Sequence, residues 1–311
     1  MTAHHLPASV ANCAWGFFDP AREPVLTIDS GETVVIDTVS GSPEVVPEGD
    51  FIVPEALRAI HRDGRMEMPG HILTGPVAVR GARAGSVLEV RIRAVELAQD
   101  WGFNAIRPLS GTLPYDFTEK RILNIPLDRE AMTAQMPWGL KLPLSPFFGV
   151  MGVAPPPHWG SISSIQPRAH AGNIDNKELV AGTTLYLPVF NEGALFSCGD
   201  GHGAQGDGEV CVTAIETALR GTFELVVRDD LAFTYPRAET PTHFITMGMD
   251  PSLDVCAEMA LRDMLDLIVE TRGLSRHDAY TLCSLAGDLR VTQTVNGCKG
   301  IHMMLAKSLL A

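Results

Sequence analysis

A chain of 311 residues, 45% apolar and 20% charged, is long enough to bury one large core or two fused lobes. Its formal net charge of −13 repels polyphosphates and anionic lipid, which argues against nucleic acid or a membrane as partner and suits a neutral or cationic small molecule. The opening Met1-Thr2-Ala3-His4-His5-Leu6-Pro7 has no basic region leading into an apolar run, no stretch is long enough to span a bilayer, and the six cysteines form no C-x-x-C pair. These features predict a cytoplasmic protein with buried thiols, without a zinc ribbon or a disulfide scaffold.

In chain order, the first strand signal is Val34-Val35-Ile36, ended by Asp37, an acid that reads as a turn cap or a site carboxylate. His71 follows inside Pro69-Gly70-His71-Ile72-Leu73-Thr74-Gly75-Pro76-Val77, exposed by its own punctuation or held as a satisfied structural group. Val79–Val90 and Leu179–Leu187 have the same shape, a glycine two residues before an apolar run, and read as two similar entries into strands rather than a duplication. The region 100–165 holds many prolines and aromatics and is predicted as an ordered loop beside a cleft, which Trp101, Trp138 and Trp159 could wall or merely pack.

Further strand runs are predicted at 87–92, 184–189, 210–215, 223–227 and 242–246. Apolar residues from Leu253 to Ile268 recur at helical spacing, with Gly273 as a left-handed cap. Ser275 caps a second helix through Leu282, with Asp278 three residues on, and Leu289–Val295 reads as a strand ended by Asn296-Gly297. The expected fold is therefore mainly β (α+β): a jelly-roll-like β-sandwich with added α+β elements and a C-terminal helix pair. It forms one unit, 1–311, divisible into a β-rich lobe 1–165 and a lobe 166–311 that carries the helices.

Chemistry concentrates in Gly199-Asp200-Gly201-His202-Gly203-Ala204-Gln205-Gly206-Asp207-Gly208-Glu209. Glycines let the backbone fold tightly and bring Asp200, His202 and Glu209 inward, where carboxylate and imidazole together suit a zinc-like ion. The same pattern fits a calcium loop, though not an EF-hand, or a solvated hairpin. Asn173 and Asp175, two residues apart, would share one face of a strand or form an Asx-turn. There is no G-x-S-x-G elbow and no H-E-x-x-H. Cys198 beside His202 is a thiol nucleophile or a buried core residue.

Together these stretches resemble the acetamidase/formamidase family: His71–Val77 with Gly81-Ala82, Gly149–Pro155, Gly172-Asn173-Ile174-Asp175, Gly182–Val189 running into Gly199–His202 and Gln205–Glu209, and the end at Asp288–Gln293 with Val295-Asn296-Gly297. The resemblance implies hydrolysis of short amides to carboxylate and ammonia, a divalent metal (zinc, or calcium), and a homodimer. It also implies a site of His71, Asp175, Asp200 and His202 on the metal, with Glu209 as general base and Asn173 holding the oxyanion. The family usually has Gly-Gly-Asn after a Pro-Gly pair, whereas this chain reads Gln166-Pro167-Arg168-Ala169-His170-Ala171-Gly172-Asn173, so Arg168 and Ala171 are expected to reshape the pocket wall. Larger amides and urea-like or carbamate-like compounds are the alternative substrates. The rivals are a cysteine hydrolase built on Cys198 and a jelly-roll protein that binds metal and ligand without turnover.

Overall fold

The computed structural model describes residues 3–311; Met1 and Thr2 of the opening segment lie outside them. Two large β-sheets share one core. The first has nine strands, in the order Ala3–Leu6, Glu32–Asp37, Leu219–Arg228, Val87–Leu97, Thr184–Pro188, Arg237–Glu239, His243–Asp250, Lys299–Ala306 and Asp288–Gln293. Leu219–Arg228 alternates buried and half-exposed residues, the period-two pattern of a sheet with one face on the core. The second sheet has eleven strands, and its central members Ile72–Val79, Phe147–Gly152 and Phe196–His202 are buried on both faces. Phe223 of the first sheet meets Phe148 and Phe196 of the second, with ring centroids 5.4 and 5.6 Å apart. The expected β-rich sandwich with a helical end is what forms.

Two helices cover the end of the first sheet. Helix α1, Glu55–Asp63, is short and lies elsewhere, packing Leu57 and Ile60 against Trp101 and Phe103. Helix α2, Leu253–Arg272, ends at Gly273 in a left-handed conformation (φ 65°), and α3, Arg276–Ala286, is capped by Ser275, whose hydroxyl accepts from the Asp278 N–H at 3.1 Å. Their apolar stripe, including Ala260, Met264, Ile268 and Cys283, buries against Ile301, Met303 and Leu305 of the sheet, as the unpartnered stripe required. No helix among the described residues is long and apolar enough to cross a membrane.

Three expectations fail locally. The segment 210–215 is irregular, not a strand: Glu209 and Val212 adopt left-handed φ of 46° and 85°, and Val210 is exposed. The region 100–165 is not one loop, since Trp101–Ile106, Arg121–Asp128 and Phe147–Gly152 are strands, and only stretches such as Ala154–Pro156 stay irregular. The six cysteines are all free, but only Cys198, Cys256 and Cys283 are buried; the other three are half-buried.

Candidate active site

The strand Phe196–His202 is the spine of the site. It lies between Phe147–Gly152 and Ile72–Val79, and pairs at its end with Glu216–Thr217, so that Glu216 stands directly opposite His202. Alternation sends Asp200 and His202 to one face. His202 Nε2 is 3.3 Å from Asp200 Oδ2 and 3.3 Å from Glu216 Oε2, and 3.9 Å from both Asp175 Oδ1 and Glu209 Oε1. His71, just ahead of its strand, donates its backbone N–H to the Ser164 hydroxyl at 2.9 Å and directs Nε2 to 3.6 Å from Asp200 Oδ2.

The backbone is bent to bring these acids in. Asp175 lies beyond the strand Ala171–Asn173, in a left-handed conformation (φ 47°), with its N–H on the Gly149 carbonyl at 3.1 Å. Gly149 itself must lack a side chain: a Cβ there would meet Asp175 Oδ1, and would sit 2.6 Å from Asp200 Oδ2 and 2.8 Å from His202 Cε1. Asn296 donates its amide to Asp175 Oδ2 at 2.6 Å and to the Asn173 carbonyl at 3.1 Å. Gln205 closes the arrangement. Its Oε1 is 2.9 Å from His202 Nδ1, and its Nε2 donates to the Asp175 carbonyl at 2.8 Å. An amide oxygen can only accept, so Nδ1 carries a proton, and Nε2 is the ring nitrogen that faces the acids.

This cluster floors a cavity of ≈ 400 Å³, lined by His71, Asn173, Asp175, Asp200, Glu209 and Glu216, with Trp15 and Phe103 among the wall residues. His202 is fully buried at the floor. Asp175 Oδ1, His202 Nε2, Glu209 Oε2, Glu216 Oε2 and Asn173 Oδ1 are all buried without a hydrogen-bond partner, where native proteins leave few such atoms unmatched. Four carboxylates face two imidazoles, so with all four ionised two negative charges would stay unbalanced even with both imidazoles protonated. Burial pushes the Asp175 carboxyl up, pushes Glu209 well up together with the Asp175 charge, and raises Glu216 to about 8. Burial also opposes ionisation of Asp200, but the His71 and His202 charges outweigh it and hold that carboxyl far below the usual range. Burial likewise disfavours the His202 imidazolium, and the Glu216 and Asp200 charges reverse this and raise it. The ligand atoms of Asp175, Asp200 and His202 lie within 4.8 Å of one another, as do those of His202, Glu209 and Glu216, so this buried acid–imidazole cluster could bind a metal ion.

All six residues singled out in the sequence, His71, Asn173, Asp175, Asp200, His202 and Glu209, therefore meet at one place. Asn173 arrives with its amide N–H committed to the Ile165 carbonyl at 3.0 Å and its oxygen free, so the atom it leaves for the cavity is an acceptor rather than the expected oxyanion donor. Sequence reasoning missed Glu216, Gln205, Asn296 and Gly149. Glu216 was hidden because the strand expected at 210–215 stopped one residue short of it. Trp101 is a core residue, Trp138 and Trp159 are exposed away from the cavity, and the tryptophan on its wall is Trp15. Arg168 is exposed and Ala171 is fully buried at φ 66°; neither lines the cavity. Cys198 lies in the core with its thiol pushed up by burial, off the cavity wall.

The sequence profile of the Acetamidase/Formamidase family matches residues 14–161 and 160–305. The chain belongs to the acetamidase/formamidase family. An acetamidase from Bacillus halodurans superposes with a TM-score of 0.85 at 32% identity, covering 98% of each chain, and one from Yersinia enterocolitica with 0.87 at 28%, covering 100% of this chain and 93% of that one. The acetamidase of Mycolicibacterium smegmatis is 47% identical over 47 residues, which span 15% of this chain and only 12% of that relative. Several of the acetamidase/formamidase stretches noted in the sequence contribute to the site, through His71, Gly149, Asn173 with Asp175, Asp200 to Glu209, and Asn296.

Proposed function

We propose that this chain hydrolyses carboxamides to carboxylate and ammonia with a divalent cation seated in the cavity. The observation that carries the reading is the convergence of four carboxylates and two imidazoles, several with unpartnered buried atoms, on one cavity floor in a member of this family. The donor set fits a cation: its charge would take the place of the protons that burial otherwise holds on Asp175, Glu209 and Glu216, and the ligand atoms of Asp175, Asp200 and His202, with His71 beside them, would hold it. Imidazole nitrogen is a natural zinc ligand and a poor one for calcium, which takes oxygen, so the mixed set favours zinc. When bound, such an ion supplies Lewis acidity toward the carbonyl oxygen and the attacking water.

The protein's own groups then divide the remaining work. Glu209, with a free Oε2 in the cavity wall, takes the proton of the attacking water as the C–O bond forms. It returns that proton to nitrogen as the C–N bond breaks, because an amide anion is too basic to leave. Asn173 offers its free carbonyl oxygen to a substrate N–H, which orients the leaving nitrogen. Gln205 and Asn296 act through others, fixing the His202 tautomer and the Asp175 rotamer.

The test is ammonia release from formamide and acetamide by the purified chain, before and after chelation and after zinc is restored. Release that is lost on chelation and returns with zinc is expected. Release indifferent to the chelator would remove the cation from the reading. Tightly held zinc with no release from any carboxamide would favour a binding protein or a urea-like substrate.

A further inference from the structure

We infer that the cavity takes neutral carboxamides with an apolar acyl group of several carbons, ahead of formamide and acetamide; this rests on the amide hydrolysis proposed above. The first observation is size. A cavity of ≈ 400 Å³ falls in the range of roughly 300–1,000 Å³ found for sites that enclose drug-sized ligands. The acyl substituent of formamide is a hydrogen and that of acetamide a methyl, and either leaves most of this space to water.

The second observation is where the apolar wall stands. Trp15 pairs across strands with Ile72, the residue after His71, and is bridged to Met66 on its other side. Phe103 pairs directly with Glu216. Ile165 accepts the Asn173 amide on its carbonyl, and Val295 adjoins Asn296. Each of these side chains lines the cavity; Ile72, Phe103, Ile165 and Val295 are each one pairing, one hydrogen bond or one peptide bond from a group of the site, and Trp15 and Met66 join them through Ile72. A carbonyl held at that floor therefore sends its acyl substituent into an apolar collar, where each added methylene leaves water.

Charge completes the argument. Four acids stand at the floor, Glu44 on the wall is already paired with Lys120, and among the described residues the guanidinium lining the cavity, that of Arg107, is exposed. An anionic acyl tail meets repulsion in this setting and has no buried partner.

The test is kcat/KM of the zinc-loaded full chain for formamide, acetamide, butyramide, hexanamide and phenylacetamide, with succinamate as the anionic match to butyramide. A rise of about fourfold per buried methylene is expected, on the order of 10²-fold from acetamide to hexanamide, with succinamate well below butyramide. Trp15→Ala should flatten that rise. A series that is level or falls beyond acetamide, or a rise untouched by Trp15→Ala, would overturn the inference and leave amide hydrolysis standing. Ammonia from none of the six would overturn amide hydrolysis itself, and the inference with it.

Discussion

Gly149 offers the sharpest test of the site, because it touches the chemistry without contributing an atom to it. Its backbone is that of an ordinary strand residue, so alanine introduces no dihedral penalty there, and in a strand interior alanine is normally the better residue by roughly 0.5–1 kcal/mol. The added methyl, however, would lie 2.6 Å from Asp200 Oδ2 and 2.8 Å from His202 Cε1, with Asp175 Oδ1 closer still. Ordinary van der Waals contact begins near 3.4 Å, so the Asp200 oxygen alone must retreat by about 0.8 Å. Overpacking of this kind typically costs about 1–3 kcal/mol of stability. Misplacement by about 1 Å at a reacting centre can cost on the order of 10² in rate. Gly149→Ala should therefore fold, melt a few degrees lower, bind zinc more weakly and lose roughly two orders of magnitude in kcat/KM for its best carboxamide. The assay pairs ammonia release with thermal unfolding and zinc content in one preparation. Turnover within threefold of the parent, with zinc retained, would refute the claim that Asp175, Asp200 and His202 must hold their observed positions.

Other consequences follow from the same geometry. Glu209→Gln should retain zinc and lose about 10²–10⁴-fold in turnover, since the proton shuttle is gone while the cation ligands remain; near-normal ammonia release would end its role as base. Gln205→Leu should weaken zinc affinity about 10–100-fold in a chelator competition while leaving the fold intact, because His202 loses the acceptor that holds Nδ1 protonated. His170 is fully buried with both ring nitrogens unpartnered, and burial lowers it from 6.5 to about 3. Its neutral form is favoured in the folded state, so its contribution is intact above pH 6.5 and lost as pH falls toward 3, about 2 kcal/mol between pH 7 and 5. His170→Leu should remove that part of the slope in urea unfolding; identical pH dependence of variant and parent would contradict it. Comparing the two also cancels the opposite slope of the site carboxylates held high by burial.

Much of the fold was legible because its signals are local. The helix pair announced itself through Gly273 and Ser275, and both caps form as written. Strands such as Val87–Leu97 and Leu219–Arg228 carry their apolar residues in runs that a sheet face explains. Glu216 and Asn296 were not legible, since their relation to the site exists only across strands: Glu216 faces His202 through a pairing of residues 14 apart, and Asn296 reaches Asp175 from 121 residues away. Gly149 stood in a stretch that looked family-like, but nothing in a single sequence distinguishes a glycine needed for a turn from one that three side chains crowd. The irregular segment 210–215 misled for a related reason, because β-branched and apolar residues advertise a strand even where the site pulls the backbone out of one.

That pull has a measurable consequence. Asp175, Asp200 and Glu209 are non-glycine residues at φ of 47°, 56° and 46°, a conformation with an energetic cost of order 1–3 kcal/mol each. Such backbone at three of the four site acids makes sense if the carboxylates are needed where they are and not for the stability of the chain. Glu209 separates these possibilities, because it lines the cavity and leaves no sealed void when truncated. In the zinc-free chain, Glu209→Gly removes the left-handed strain and a buried carboxyl with an unpartnered oxygen. Against this stands the extra freedom of glycine in the unfolded chain, about 0.4–1 kcal/mol. The balance favours the variant by about 1–3 kcal/mol in urea unfolding, while its turnover should vanish. A zinc-free Glu209→Gly chain less stable than its parent would assign Glu209 to the scaffold, and Glu216, opposite His202, would then be the carboxylate left to carry the proton.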